Sequence, residues 1–584
     1  MAAASAADDD ISISNISEAN VETPLLASNN DVVEGYVDYR GRPARRPDSG
    51  GWGSAFFIIG VEVGERFAFY GISANLVTYL TGRLGQSTAT AAENVNAWSG
   101  AAQLLPVLGA LIADSFLGRY RTIILASVLY IFGLGFLTVS AILPPKLSNC
   151  RDTSNAMICS PPQIQVIIFF VSLYLVAIAQ GMHRPCVQAF GAEQFDAEDP
   201  GEAKAKSSFF NWWSFIVNIA ITATFMVLSY IEENLSWGLG FGIPCLVIGF
   251  ALILFFLGTA TYRFHATSHK GSPLQRLGWV LMNAARNWRN SSSAKYMEEG
   301  NQKIVPFLGS QEFKFQNNSL VVSDDSMEER EDCNIKKIEE AKAILRLFPI
   351  LVTCMIYGIV CSQSSTLFIK QGATMDRSIG ATFEVPAASL QSFISLSVVV
   401  FVAIYDCILV PLARAVTGKP SGLTVLQRIG AGLFISILNM VTAALVETKR
   451  LRTAQMYGLV EKPEATVPMS VLWLIPQYML LGVSEVFAMV GLQEFSYDEM
   501  PAELKSTGLS LYLCVFGIGS FISSFLISVI EKITSRDGGN SWFSDNLNQA
   551  HLDYFYLLLA GLSAAAFTGF LFAAKSYVYN ASQT

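Results

Sequence analysis

Twelve long apolar stretches govern what this chain can fold into. They run at about 54–81, 95–117, 121–144, 163–187, 207–231 and 236–259, and again at 346–370, 385–411, 424–447, 468–496, 506–530 and 552–577. A helix needs roughly 20 apolar residues to cross a bilayer core, and each stretch is long enough. Only 15% of the 584 residues are charged and 52% are hydrophobic, whereas a soluble domain carries about 25% charged residues. Backbone polar groups inside lipid must be satisfied within the segment, which leaves the α-helix as the form for such runs. The expected fold class is therefore an all-α polytopic membrane protein, with twelve transmembrane helices in two six-helix halves.

The charges that remain mark the boundaries. Residues 1–50 are rich in Ser, Asp, Asn and Ala, lack helical periodicity and read as a disordered cytosolic tail. No short apolar run near Met1 suggests a signal peptide. Arg40, Arg42, Arg45 and Arg46 precede the first span and place the tail in the cytosol. A six-helix bundle is expected over 51–262, a polar cytosolic linker over 263–345, a second bundle over 346–577 and a short cytosolic tail over 578–584. Within the linker, Leu274, Leu277, Leu281, Ala284 and Trp288 recur at helical spacing, which reads as an amphipathic linker helix on the membrane surface or against the bundle. Arg119 and Arg121 agree with the positive-inside rule; Lys449, Arg450, Arg452 and Lys462 fall on the non-cytosolic side and dissent from it.

Composition also excludes. A net charge of −8 argues against a nucleic-acid partner. Nine Cys without a CxxC pair and four scattered His imply no metal site. Cys150 and Cys159 alone share a non-cytosolic loop, where the sequence permits a local disulfide. No HExxH and no nucleophile elbow points to an enzyme.

The ionisable residues inside the spans carry the chemistry. Gly60-Val-Glu-Val-Gly-Glu-Arg-Phe-Ala-Phe-Tyr-Gly71 sets Glu62, Glu65 and Arg66 on one helical face in the first span. Charges at that depth cost about 2.5–3.5 kcal/mol each on insertion scales, so they face one another or a polar cavity. A Glu–Arg pair alone would serve to fix helix register, but two acids and one base leave a surplus carboxylate, which favours function. Gln180-Gly-Met-His-Arg-Pro-Cys-Val187 carries Arg184 near the end of the fourth span, either in the path or snorkelling to the cytosolic face. Glu485 stands alone among apolar residues in the tenth span, where a carboxylate is either protonated or paired. It is a candidate proton or substrate site. Six plus six helices around a linker is the arrangement of a transporter built from two halves.

These residues resemble the proton-dependent oligopeptide transporter family of the major facilitator superfamily, in its plant nitrate/peptide branch. Glu62-x-x-Glu65-Arg66 matches the ExxER signature, and Phe209-Phe-Asn-Trp-Trp-Ser-Phe-Ile-Val-Asn218 resembles the fifth-helix signature. Gly109-Ala-Leu-Ile-Ala-Asp-Ser-Phe-Leu-Gly-Arg-Tyr-Arg121 resembles the superfamily loop between helices two and three, where Asp114 and Arg119 would serve gating. Gln371-Gly-Ala-Thr-Met-Asp-Arg377 and Leu426-Gln-Arg-Ile-Gly430 are typical of the plant branch. The resemblance covers about residues 35–577 and implies proton-coupled symport of a small solute by rocking of the halves, with protons as the coupling ion and no other cofactor. It assigns proton coupling to Glu62, Glu65, Arg66 and Arg184, with Arg184 standing where relatives usually have Lys. Substrate contact is implied for Tyr70, Arg66, Arg184, Cys361 and Glu485. Cys361 occupies the position of a seventh-helix His used by some nitrate carriers, and a neutral thiol supplies no positive charge. Nitrate, di- or tripeptides and acidic plant metabolites or hormones are the implied substrates, and a transporter-like sensor is the alternative of another class. In the tail, Glu22-Thr-Pro-Leu25-Leu26 reads as an acidic dileucine sorting signal, favouring the vacuolar over the plasma membrane.

Overall fold

The computed structural model describes residues 32–143, 150–153, 156–159, 162–196, 199–265, 346–380, 383–417, 423–463, 465–500, 505–535 and 541–577. The N-terminal half comprises α1 (Gly51–Gly82), α2 (Thr88–Ile112), α3 (Arg119–Ile142), α4 (Gln163–Ala192), α5 (Pro200–Asn234) and α6 (Trp237–Leu257). In the C-terminal half, α7 (Arg346–Ala373) and α8 (Ala387–Ala415) are followed by α9 (Val425–Met456) and α10 (Ile475–Asp498), then by α11 (Lys505–Thr534) and α12 (Leu552–Lys575). Eleven described helices are long and apolar enough to cross a membrane. Helix α1 is the twelfth: it has 32 residues but carries Glu62, Glu65 and Arg66 mid-length. Its polarity reflects a site rather than a different fate for the helix. Large apolar side chains such as Phe132, Phe136, Leu246, Phe250 and Phe572 point outward, as lipid demands. The face from which α1 starts and to which α12 returns is called here the terminal face; the opposite one is the far face.

Helices in lipid gain little from apolar burial between them and approach closely where residues are small. A side chain at Gly109 of α2 would strike the backbone of Gly181 and Met182 in α4, and one at Gly181 would strike Leu105 in return. Gly64 of α1 is likewise closed by Ala251 of α6. In the second half Gly358 of α7 and Gly519 of α11 meet backbone to backbone. These contacts fix the spacing of the helices that bear the intramembrane charges.

Two expectations need correction. Residues 32–50, assigned to the tail, are ordered at the terminal face. There β1 (Val32–Val37) pairs antiparallel with β2 (Pro43–Arg45), and on its other side with a strand just after α6, Phe264–His265. The sheet is pinned by charge, because Arg46 meets Asp196 at 2.7 Å and Arg263 bonds Glu202 at 2.7 Å and the Ser49 carbonyl at 3.0 Å. Polar sequence without periodicity hid it, since its strands are short and partner each other across the chain. The second concerns the dissenting basic cluster. Helix α9 runs on past the apolar stretch, and Arg450 is fully buried against Glu447 at 2.6 Å, with Asn548 at 2.9 Å and the Leu547 carbonyl at 2.6 Å. Lys449 lies over the Trp473 ring at 3.2 Å. These are paired structural charges rather than free loop charges. The dileucine, the linker beyond His265 and the tail from 578 lie outside the described residues. Between α3 and α4, a hairpin sets Cys150 opposite Cys159 in register.

Candidate functional site in the intramembrane charge cluster

One helical turn separates Glu62 from Arg66, so the guanidinium folds back along α1 and meets Glu62 Oε1 at 2.8 Å through Nε and 2.6 Å through Nη2. Glu65 Oε2 stands 3.5 Å from Arg66 Nε. Both carboxylates are 0% exposed. Tyr130 of α3, equally buried, donates its hydroxyl to Glu65 Oε1 at 2.8 Å. His183 of α4 completes the cluster: ligating atoms of Glu62, Glu65 and His183 all lie within 4.8 Å of one another. Among the described residues Glu62 Oε2, Glu65 Oε2, Arg66 Nη1 and His183 Nδ1 have no hydrogen-bond partner. The donor set would suit a cation, yet Arg66 already occupies one side of it. Two carboxylates and one guanidinium leave a single negative charge, which one proton neutralises. A dry site in which an isolated charge is costly is thereby suited to gaining and losing a proton.

The other expected residues lie around this cluster at different distances from it. Arg184 forms no ion pair among the described residues; its Nη1 donates to Gln103 Oε1 of α2 at 3.2 Å. That contact follows from the Gly109–Gly181 approach, and from Pro185, which cannot donate to the Gly181 carbonyl one turn earlier. Tyr70 sits one turn beyond Arg66 with its ring edge-on to Phe225 of α5 at 5.6 Å. In the C-terminal half, Glu485 of α10 is half-buried and makes no hydrogen bond or ion pair among the described residues. Cys361 of α7, a free thiol, and the buried Tyr357 both feel the Glu485 charge. Tyr357 packs edge-on against Phe516 of α11 at 5.9 Å, and Phe516 against Tyr512 at 6.2 Å. Tyr512 in turn is electrostatically linked to Arg184, Arg66 and Tyr70. This aromatic ladder joins the acid of the second half to the bases of the first.

At the terminal end of α2, Ala113–Leu117 forms a π-turn that carries Asp114, whose side chain is outside the described ones. Gly118 follows with φ 75°, the left-handed region that only glycine occupies without strain. Arg119 then opens α3 and is ion-paired with Glu193 of α4. Asp114 and Arg119 thus stand at a helix junction of the terminal face, away from the intramembrane cluster.

Sequence reasoning missed Tyr130, His183, Gln103, Tyr357 and Tyr512. Of these only His183 left a trace, as a histidine inside an apolar helix beside Arg184. The others are neutral side chains whose importance comes from helix packing.

The POT family pattern (PTR2) matches residues 120–543. The chain belongs to the POT family. Protein NRT1/PTR FAMILY 5.10 of Arabidopsis thaliana is 58% identical over 556 residues, covering 95% of this chain and 97% of the relative. Protein NRT1/PTR FAMILY 5.12 of the same plant is 53% identical, covering 96% of this chain and 98% of the relative. Among solved structures, an auto-inhibited POT family peptide transporter aligns with TM-score 0.66 at 19% identity, over 91% of this chain and 99% of that one. The POT family transporter PepTSo aligns with TM-score 0.64 at 20% identity, over 90% of this chain and 98% of that one. The fold is therefore that of the POT transporters, and the protein is an integral multi-pass membrane transporter rather than an enzyme.

Proposed function

We propose that this POT family member is a proton-coupled symporter of a small solute. One observation carries the reading: the buried Glu62–Arg66–Glu65 cluster sets two carboxylates against one guanidinium, one acid more than a structural pair needs. The two halves supply complementary ends for a solute. Arg184 and Arg66 offer positive charge, and Glu485 offers an unpaired carboxylate across the aromatic ladder. A zwitterion, such as a di- or tripeptide, satisfies both; nitrate satisfies only the bases, and Cys361 adds none. One solved structural neighbour is described in complex with a thioalcohol-conjugated peptide and another with 5-aminolevulinic acid. 5-Aminolevulinic acid carries an amino and an acidic end, which supports the same order of candidates. An acidic metabolite or hormone would use the bases and leave Glu485 protonated.

The described hydrogen bonds and ion pairs between the halves cluster toward the far face: Lys370–Thr81 at 3.2 Å, Gln391 to the Ala74 carbonyl at 3.2 Å, Thr88–Asp545 at 2.7 Å, Asn96–Ser523 at 3.1 Å and Arg377–Glu233 at 2.9 Å. With the basic tail placing the terminal face in the cytosol, bonds gathered at the opposite face support a cytosol-facing arrangement of an alternating-access cycle. The membrane favoured is the vacuolar one, on the Glu22, Leu25 and Leu26 signal.

The test is uptake into proteoliposomes under an imposed pH gradient, with dipeptides, nitrate and organic acids compared. Glu65→Gln keeps the shape and removes the titration. It should abolish gradient-driven accumulation while exchange of labelled solute at equal pH continues. Full pH-driven accumulation by this variant would refute coupling through the first-helix acids.

A further inference from the structure

Glu232 lies near the far end of α5, well away from the charge cluster on α1. It is 1% exposed, and among the described residues neither carboxylate oxygen has a hydrogen-bond partner. Its side chain fills the space left by Gly240 of α6, where any added Cβ would strike the Glu232 chain. From α1, Asn75 reaches in, 0% exposed, donating weakly to the Ser229 carbonyl at 3.5 Å. The Asn75 Oδ1 and the Ser229 Oγ are also buried without partners. Asn75 stands beside both Glu232 and Glu233. Glu233 leaves the bundle in the other direction and pairs with Arg377 of the second half at 2.9 Å, a guanidinium that also meets Glu384 at 3.6 Å. The polar path therefore runs Glu232, Asn75, Glu233, Arg377, from inside the first half to the seam between the halves.

The charges around Glu232 are few. On its own helix there is Glu233; α1 contributes the neutral Asn75 and α6 contributes Gly240; Arg377 and Glu384 lie beyond Glu233. Among the described residues no cation faces it, and a like charge stands next to it. A carboxylate so placed is neutral, because an unpaired buried charge is the costliest group a membrane bundle can hold. Asn75 is the polar side chain beside Glu232, and the buried Asn75 Oδ1 and Ser229 Oγ are oxygens that among the described residues have no partner of their own.

We infer that Glu232 is a second proton-binding site, loaded from the far side when the Glu233–Arg377 seam closes and unloaded to the same side when it opens. Closure buries Glu232 with one proton taken from the far solution; opening lets water reach the path, and the proton returns. Because the proton goes back to the side it came from, the site carries no current. It makes the far face a reader of the pH outside it. By linkage, one proton bound on closure changes the ratio of far-closed to far-open molecules tenfold per pH unit, acid favouring closure. The inference rests on the alternating-access reading above, and Glu233 supplies the opposing alternative. Protonating Glu233 would break its pair with Arg377 and open the far face in acid, so the two acids predict opposite signs.

The experiment places spectroscopic probes at Leu235 and Ile379, exposed at 64% and 49% on the far loops of the two halves, in the full-length protein in nanodiscs. Their separation is followed from pH 5 to 8. The far-open fraction should fall as pH falls, and Glu232→Gln should hold the far-closed distance at every pH. Glu233→Gln should raise the open fraction while leaving the slope. Opening in acid, a flat wild-type response, or a wild-type slope retained in Glu232→Gln would each overturn the inference. If Glu232→Gln does not fold, the sign of the wild-type response still decides. Equilibrium exchange of solute, measured separately, tests the transport reading on its own.

Discussion

Glu485 is the residue at which the candidate substrates part. A peptide ammonium needs an acceptor in the path, and Glu485 is a half-buried acid of the second half with no partner among the described residues. A hydrogen bond to a charged group contributes about 1.5–3 kcal/mol, so Glu485→Gln should weaken dipeptide binding roughly 10- to 100-fold. Nitrate has no positive end, and its binding should hold or tighten in the same variant. Calorimetry or thermal-shift titration measures binding without depending on coupling, and equal loss for both ligands would make Glu485 a support of the bundle. The charged members of the site were legible in the sequence because lipid makes every intramembrane charge an exception: Glu62, Glu65, Arg66 and Glu485 stand out from apolar runs. Their neutral partners were not. Tyr130 looks like any apolar-helix tyrosine until α3 packs on α1 and its hydroxyl meets Glu65.

At the scale of elements, small residues decide where the functional side chains land. The α2–α4 contact leaves no room for a Cβ at either Gly109 or Gly181, and on it depends the Arg184–Gln103 bond. Overpacking a filled contact costs about 1–3 kcal/mol, so Gly109→Val should lower the thermal midpoint of the detergent-solubilised protein. A bulkier residue at Gly135, which faces open space, should not. An unchanged midpoint in Gly109→Val would mean the helices part without cost. Length and apolarity made the helices readable one by one, and even α1 was legible despite its charges. Which helices touch was not readable, because a glycine shows only that something approaches and not what. The terminal sheet was missed for the same reason: β1 finds its partner strand across more than two hundred residues.

For the whole molecule, the question is what holds the far face shut. The Glu233–Arg377 pair joins α5 to the loop after α7, with the two side chains 16% and 26% exposed. Arg377 ends the Gln371–Arg377 stretch, and its partner sets that stretch at the seam between the halves. Partly exposed pairs contribute about 0.2–1 kcal/mol, and the Lys370, Gln391, Asp545 and Ser523 bonds persist when this one is lost. Arg377→Glu should therefore tilt the balance toward the far-open form without locking it, by more than the pair's own contribution because two acids would then face Glu233. Glu233→Arg alone should act in the same direction. Combining the two reverses the pair and should restore most of the wild-type ratio, read as probe separation on the far loops and as the rate of solute exchange. If the double variant is no closer to wild type than either single one, the two residues do not act through each other, and the far face is held by the remaining bonds.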